Sequence, residues 1–431
     1  MSKNFGIKKA SVHKNVMIFL IAGMFASFYL LESETLNNSI FTIASVLFSA
    51  AVLIVGTLNN GGKVRVKIRP FYIFVAVFII FCYASLLWAQ NTYYVSIRSF
   101  VIVKTMLCII MVYIIMDREK TVDTLLMGMM LGGYIVVVSC ILYYGIGIVQ
   151  AVISSSMRFS GLFINNNVLG MLSANTIIIN LYYFLYQRKC KKYLPLIAPS
   201  IIVLAAAGSR KSILLLFAGL FLMMLLHNRG NKKAIKRLFK GGAFAVLIIA
   251  GVYFILNSNM FGNLQTRFQG LFNYITGEGH VNYSTLVRAE LSKLGIRIFL
   301  QHPIVGIGID NARIYGLQLT GRDYYLHNNY AELLADGGII GFLCYYSMYI
   351  YLIYNMIKYR KNNNQEYDIC LVLLLVHAVM EYGFVAYYLK DTYCYFMLFF
   401  LEVGILKRES TKAGVKHGRK STIIQTKQVH S

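Results

Sequence analysis

Runs of about 20 mostly apolar residues recur from one end of this chain to the other, the length an α-helix needs to cross the hydrocarbon core of a bilayer. Backbone N–H and C=O groups find no water partners there, so such runs are expected to fold as helices that satisfy their own hydrogen bonds. About twelve qualify, near 16–31, 40–58, 71–88, 98–116, 122–145, 168–186, 194–208, 212–227, 241–256, 338–357, 367–389 and 391–406. The pair 194–208 and 212–227 is short enough to be one broken element. Composition agrees: 58% of residues are hydrophobic and 14% charged, against about 45–50% and about 25% in soluble domains. The chain therefore reads as an all-α integral membrane protein of about 12 transmembrane helices. The first run follows a basic start, and no small-residue cleavage site follows it, so it reads as a retained helix and not a removed signal.

The basic residues orient the bundle, because Lys and Arg concentrate in cytoplasmic loops. They collect before the first run (Lys3, Lys8, Lys9, Lys14) and after the second (Lys63, Arg65, Lys67, Arg69). They collect again near 188–192, 229–240 and 358–361, and in the tail. Each cluster follows an even number of spans, which predicts that both termini are cytoplasmic. The predicted layout is helices 1–9 over 1–256, a large external loop over 257–337, helices 10–12 over 338–406 and a basic cytoplasmic tail over 407–431. The net charge of +25 then faces anionic lipid, and no nucleic acid partner is expected. Seven cysteines are scattered, none within 257–337, and no pair has metal-ligand spacing. Neither a metal nor a cofactor is expected. No internal repeat relates the two halves.

Some cations fall on the predicted outer side. Arg98 and Lys104 lie in the outer half of the fourth run, Arg158 lies in "MRFSGLFINNNVLG", Arg210 and Lys211 lie in "AAAGSRKS", and Arg288 lies in the loop. Cations gathered at the mouth of a bundle suit an anionic ligand, and the guanidinium fork suits phosphate oxygens. Each also has a plainer reading. Arg98 and Lys211 can snorkel to headgroups, Lys104 can pair with Glu381 or a backbone carbonyl, and Arg288 can be an ordinary loop arginine. Arg267, Arg297, Arg313 and Arg322 are read only in that last way.

Among the histidines, His377 lies one helical turn before Glu381, an i, i+4 pair expected to face the bundle interior. His327 stands out by position in "LHNNYAELLADGGIIGFL". Asn328 or Asn329 would cap a short helix after it, and Gly337 and Gly338 would end that helix with a sharp turn into the tenth span. An imidazole held at the membrane boundary can transfer a proton near neutral pH. Piece 286–300 of the loop is amphipathic, with Leu291, Leu294 and Ile298 on one side, and is expected to form one of several short helices over the membrane face.

The stretch "LHNNYAELLADGGIIGFL" resembles the signature of the O-antigen ligase and O-antigen or capsular polysaccharide polymerase superfamily. "HPIVGIGIDN" (302–311), "AAAGSRKSILLL" and "RFSGLFINNNVLGML" resemble three further segments of that family, in its order. The resemblance is strongest over 158–342. It implies a GT-C-like helical fold and an inverting glycosyl transfer without metal or nucleotide sugar. The donor would be a glycan on a polyprenyl diphosphate lipid, the acceptor another glycan, and the place the outer face of a bacterial cytoplasmic membrane. Carried onto this chain, His327 matches the general base. Arg210 and Arg288 match the arginines that hold the diphosphate, with Arg158 as a third and Arg297 as the alternative to Arg288. The wealth of Ile, Lys, Asn and Tyr suggests an AT-rich, Gram-positive source lacking lipid A, which favours a polymerase of lipid-linked repeat units over a ligase that moves the finished glycan. A chain-length regulator protein would be a further partner. The rival from another class is a lipid or polysaccharide transporter.

Overall fold

The computed structural model describes residues 2–30, 39–64, 66–153, 165–226, 262–277, 279–360 and 364–428. Among these residues the regular structure is entirely helical. The helices are α1 (Ser2–Leu30), α2 (Ser39–Asn59), α3 (Pro70–Ala84), α4 (Thr92–Glu119), α5 (Val122–Tyr144), α6 (Gly147–Ile153), α7 (Asn166–Leu185), α8 (Ile197–Ala206) and α9 (Arg210–Leu226). They continue as α10 (Gly262–Thr276), α11 (Tyr283–Gln301), α12 (Ala312–Thr320), α13 (Asn329–Lys358), α14 (Gln365–Met380) and α15 (Lys390–Gln428).

Six described helices are long and apolar enough to cross a membrane: Ser11–Leu30 within α1, Pro70–Leu87 around α3, and α4, α5, α7 and α13. The apolar part of α2, Ile43–Asn59, is shorter. The run at 241–256 lies outside the described residues. Local chemistry explains where several helices begin. Asn91 caps α4 by accepting the Tyr93 N–H at 3.0 Å, and Thr121 caps α5 by accepting the Thr124 N–H at 3.2 Å. Asn364 caps α14 through the N–H groups of Glu366 and Tyr367. These side-chain oxygens serve donors that a helix leaves unpaired at its start.

The 28 residues of α4 run about 40 Å through the molecule at about 1.5 Å per residue. Ion pairs gather at its C-terminal end. Asp117 takes Arg69 at 2.7 Å and Arg408 at 2.6 Å, His13 meets Glu119 at 2.8 Å, and Lys14 meets Asp123 at 2.6 Å. The base of α1 and the middle of α15 therefore meet at one end of the bundle. At the opposite end Asn91 follows α3, and its N–H donates to the Asn311 side chain at 2.8 Å.

Segment 302–312 is built onto that opposite end by a break in α13. Gly338 leaves the helix with φ 57° and ψ −161°, a conformation that side chains resist. The break turns two N–H groups outward, and they donate to the carbonyls of Pro303 and Ile304 at 2.9 and 3.1 Å. In return Ile307 and Gly308 donate their N–H groups to the carbonyls of Ala335 and Asp336. The Asp336 carboxylate accepts the N–H groups of Asp310 and Ala312 at 2.9 and 2.7 Å. Gly306 is required at the contact, since a Cβ there would stand 2.4 Å from the Asp336 carbonyl. A small second core of Leu291, Ile298, Ile307, Ala312, Leu326 and Ala335 fills the space between α11, the 302–312 segment and α13.

Among the predicted boundaries that move, two bear on the site. The run at 212–227 begins at Arg210, so that residue opens a helix and does not sit in a turn. The run at 367–389 ends as a helix at Met380, and a single tight turn, Glu381–Gly383, follows. Tertiary hydrogen bonds hold the next stretch out of the helix: the N–H groups of Ala386 and Tyr387 donate to the Asn329 side chain at 2.8 and 3.1 Å.

Candidate anion and proton-transfer site

His327 sits in the turn before α13, in the left-handed region at φ 58°. That backbone is uncommon outside glycine and is held in place from both sides. Before it, the Leu326 N–H donates to the Glu332 carboxylate at 2.6 Å. After it, Asn328 caps α13 by accepting the N–H groups of Tyr330 and Ala331 at 3.0 and 3.3 Å. Asn329 is a clamp and not a cap. Its amide donates to Glu381 and Tyr346 at 2.8 and 3.0 Å, while its oxygen takes the two N–H groups of the 384–389 stretch. Three consecutive polar residues thus have three separate tasks.

The imidazole lies against the Tyr325 ring, centroids 4.1 Å apart, with Tyr324 at 5.8 Å. Its Nδ1 is buried without a hydrogen-bond partner. Burial, then the nearby Arg288 guanidinium, then the Lys211 ammonium push its pKa down from the usual 6.5 to about 3. All three act in one direction, by opposing the charged form. The ring is therefore neutral, and able to accept a proton, across the physiological range. Arg288 is itself largely enclosed, and burial lowers its pKa while Tyr325 and Tyr324 oppose that. Arg210 joins the same group through α11, its Nη2 donating to the Thr285 hydroxyl at 3.3 Å, three positions before Arg288. Close packing permits this: a Cβ on Gly295 of α11 would stand 2.6 Å from Leu326.

His327, Arg210 and Arg288 are therefore brought together, whereas Arg297 is exposed on a different face of α11. Arg158 lies outside the described residues. Arg98 leaves the expected cation cluster. Its guanidinium pairs with Asp310 at 2.8 Å and stacks 3.7 Å from the Tyr388 ring centre. Arg313 pairs with the same carboxylate at 3.2 Å. Lys104 lies 5.0 Å from the Phe100 ring, and Glu381, its expected partner, is held elsewhere. The Glu381 carboxylate accepts from Tyr345 and Tyr349 on one oxygen and from Tyr346 and Asn329 on the other, all between 2.6 and 2.8 Å. His377 and Glu381 both face the bundle interior as expected, the Glu381 N–H still closing the last turn of α14 on the His377 carbonyl, but their side chains serve different partners. His377 Nε2 lies 3.1 Å from the Asn175 amide, and its ring lies against Tyr395. Sequence reasoning counted Lys211 among the outer cations but read it as snorkelling to headgroups, and it passed over the clamp role of Asn329. The run of three polar residues where α13 begins was one available signal, since a helix needs only one cap.

A depressed imidazole pKa has a measurable consequence. An ordinary histidine of pKa about 6.5 would be about 90% protonated at pH 5.5. If His327 is the proton acceptor, kcat/KM for this protein should change by less than about threefold between pH 7.5 and 5.5, since that ratio reports the free enzyme. A tenfold fall over that interval would show that the base titrates as an unburied histidine does.

Residues 195–346 match the family model described as O-antigen ligase, a segment that holds Arg210, Arg288, the 302–312 segment, His327 and the Gly338 break. The teichuronic acid biosynthesis protein TuaE of Bacillus subtilis (strain 168) is similar at 25% identity over 381 residues, covering 79% of this chain and 75% of that protein. With its apolar helices long enough to span a bilayer, these two matches make the chain similar to membrane proteins of polysaccharide biosynthesis and support a place in the O-antigen ligase and polysaccharide polymerase superfamily.

Proposed function

We propose that this protein is a polysaccharide polymerase that joins polyprenyl-diphosphate-linked repeat units at the outer face of the bacterial cytoplasmic membrane. The observation that carries the reading is the enclosed neutral imidazole of His327 beside the Arg288 guanidinium. A base and an anion holder are the two groups such a transfer requires. The acceptor hydroxyl gives its proton to His327 as its oxygen attacks the anomeric carbon. The bond from that carbon to the diphosphate breaks, and the lipid diphosphate leaves with the electron pair. Arg210 and Arg288 neutralise the charge that grows on it. No outside energy source is required, because the diphosphate is already a good leaving group. In this reading about twelve helices span the membrane, both termini are cytoplasmic, and the His327 end faces outward. A relative named for teichuronic acid biosynthesis supports a glycan product.

The test is to incubate purified protein with lipid-linked repeat units in detergent and resolve the products on a gel. A ladder of repeat-unit multiples is expected. Transfer only to a different acceptor would make the protein a ligase. Donor moved across vesicles but never consumed would make it a transporter. Within the same assay Arg210→Lys is expected to lose at least about tenfold in rate despite keeping its charge, because a lysine cannot reproduce a bidentate fork on phosphate. Near-normal ladders from Arg210→Lys would reduce Arg210 to a packing role.

A further inference from the structure

The tight turn at the break between α14 and α15 reaches the site through Lys211. Lys211 is the second residue of α9, next to Arg210. A Cβ placed on Gly383 would stand 2.7 Å from Lys211 Cδ, 2.8 Å from Cε and 3.1 Å from Nζ. The stem and ammonium of Lys211 thus lie in a notch that exists because residue 383 has no side chain. The wall of that notch is fixed by the four hydrogen bonds to Glu381, the residue that opens the turn. One of the four comes from Asn329, two positions after His327, so a single clamp ties the notch to the histidine turn. We propose that Lys211, seated in the Gly383 notch, is a third cation of the anion site and contacts a phosphate oxygen of the donor alongside Arg210 and Arg288. This rests on the donor reading given above.

Two features support the assignment. The charge of Lys211 reaches the His327 imidazole, as that of Arg288 does. The ammonium also projects from the first turn of α9, where the partial positive charge of the helix already favours an anion. A lysine there adds a compact point charge that complements the fork of Arg210.

The experiment measures donor KM and kcat in the polymerisation assay for Lys211→Met, Gly383→Ala and Lys293→Met. Lys293 is exposed and pairs with Glu290, so its replacement serves as a control for net charge. Gly383→Ala keeps the lysine but fills the notch. The atoms in its way belong to a flexible side chain, so the fold survives while the ammonium moves. Both site variants are expected to raise donor KM about tenfold, the effect of one lost charge-assisted contact, with kcat falling less and the salt dependence of KM weakening. The control should match the parent protein. A merely structural lysine would lower the active fraction, and so kcat, with KM unchanged; that result for Lys211→Met overturns the assignment. A protein in which Arg288→Met raises donor KM and Lys211→Met does not would retain the donor site and lose only this third cation. Full ladders from His327→Ala would instead remove the reading on which the proposal rests.

Discussion

Replacing His327 by alanine should abolish ladder formation while the protein still inserts and accumulates normally. Removing a general base typically costs about 10²–10⁴-fold in rate. Among the described residues, the buried carboxylates at this end of the bundle are already engaged. Among the described carboxylates, Asp310 is engaged by Arg98 and Arg313, Asp336 by the backbone of the 302–312 segment, Glu332 by Leu326 and Glu381 by its tyrosines and Asn329. The fold should survive the change, because α13 is capped by Asn328 and the 384–389 stretch is clamped by Asn329, neither of which uses the imidazole. Alanine tolerates the left-handed backbone less well than histidine, so a small added strain is expected and the membrane level is measured alongside activity. His280→Ala and His302→Ala, at exposed positions away from the site, should stay within a few-fold of the parent. The assay compares ladders from purified protein, with membrane levels checked by blot. Ladders of normal length from His327→Ala would leave the site without its base.

The second large effect is expected at Gly338, far from any proton. Valine there would have to adopt φ 57° and ψ −161°, a strain of about 1–3 kcal/mol. Its Cβ would also stand 2.5 Å from the Ile304 carbonyl and 2.7 Å from the Gly306 nitrogen. Backbone atoms cannot swing aside as a lysine tip can, so the 303–308 segment must lift or α13 must straighten. Either movement unpairs the N–H groups of Ile339 and Ile340, at about 1–3 kcal/mol for each group left without water. It also removes the Asp336 carboxylate from Asp310 and Ala312. Gly338→Val should therefore lower the melting temperature in detergent by several degrees and reduce activity at least about 100-fold. Gly337→Ala is the comparison. Residue 337 is not among the positions of positive φ, and its Cβ would stand 3.1 Å from the Phe81 ring, so a far smaller effect is expected. A Gly338→Val protein with unchanged melting and activity would show that the break is not needed for the site.

Much of this architecture depends on residues only a few positions apart, and such features are legible in a sequence. An apolar run long enough for a bilayer must become a helix wherever the rest of the chain lies. Asn328 before an apolar face caps the helix that follows it, and a double glycine ends that helix, because capping and left-handed backbone are decided within one turn. Amphipathic spacing in 286–300 was enough to identify the buried face of α11. The candidate base and the two arginines could also be nominated, from short motifs and from cations on the predicted outer side, neither of which requires tertiary information.

What the sequence could not supply is which of these charges are spoken for. Arg98 and Asp310 lie 212 positions apart and pair at 2.8 Å, and that pairing removes from the site a cation that topology alone had included. Asn329 reaches Glu381 across 52 positions, which ends a helix that hydropathy had carried on to residue 389. Lys211 seats against Gly383 only because the break places that turn beside α9. By itself the sequence determined that the apolar runs become helices, the Asn328 cap, the turn into α13 and the resemblance to O-antigen ligases, because those are set by local periodicity and short motifs. The tertiary structure alone decided the partners of each buried charge, and hence the site's membership. Burial makes an unpaired ion costly, so each charge is settled by whichever group the fold brings within reach.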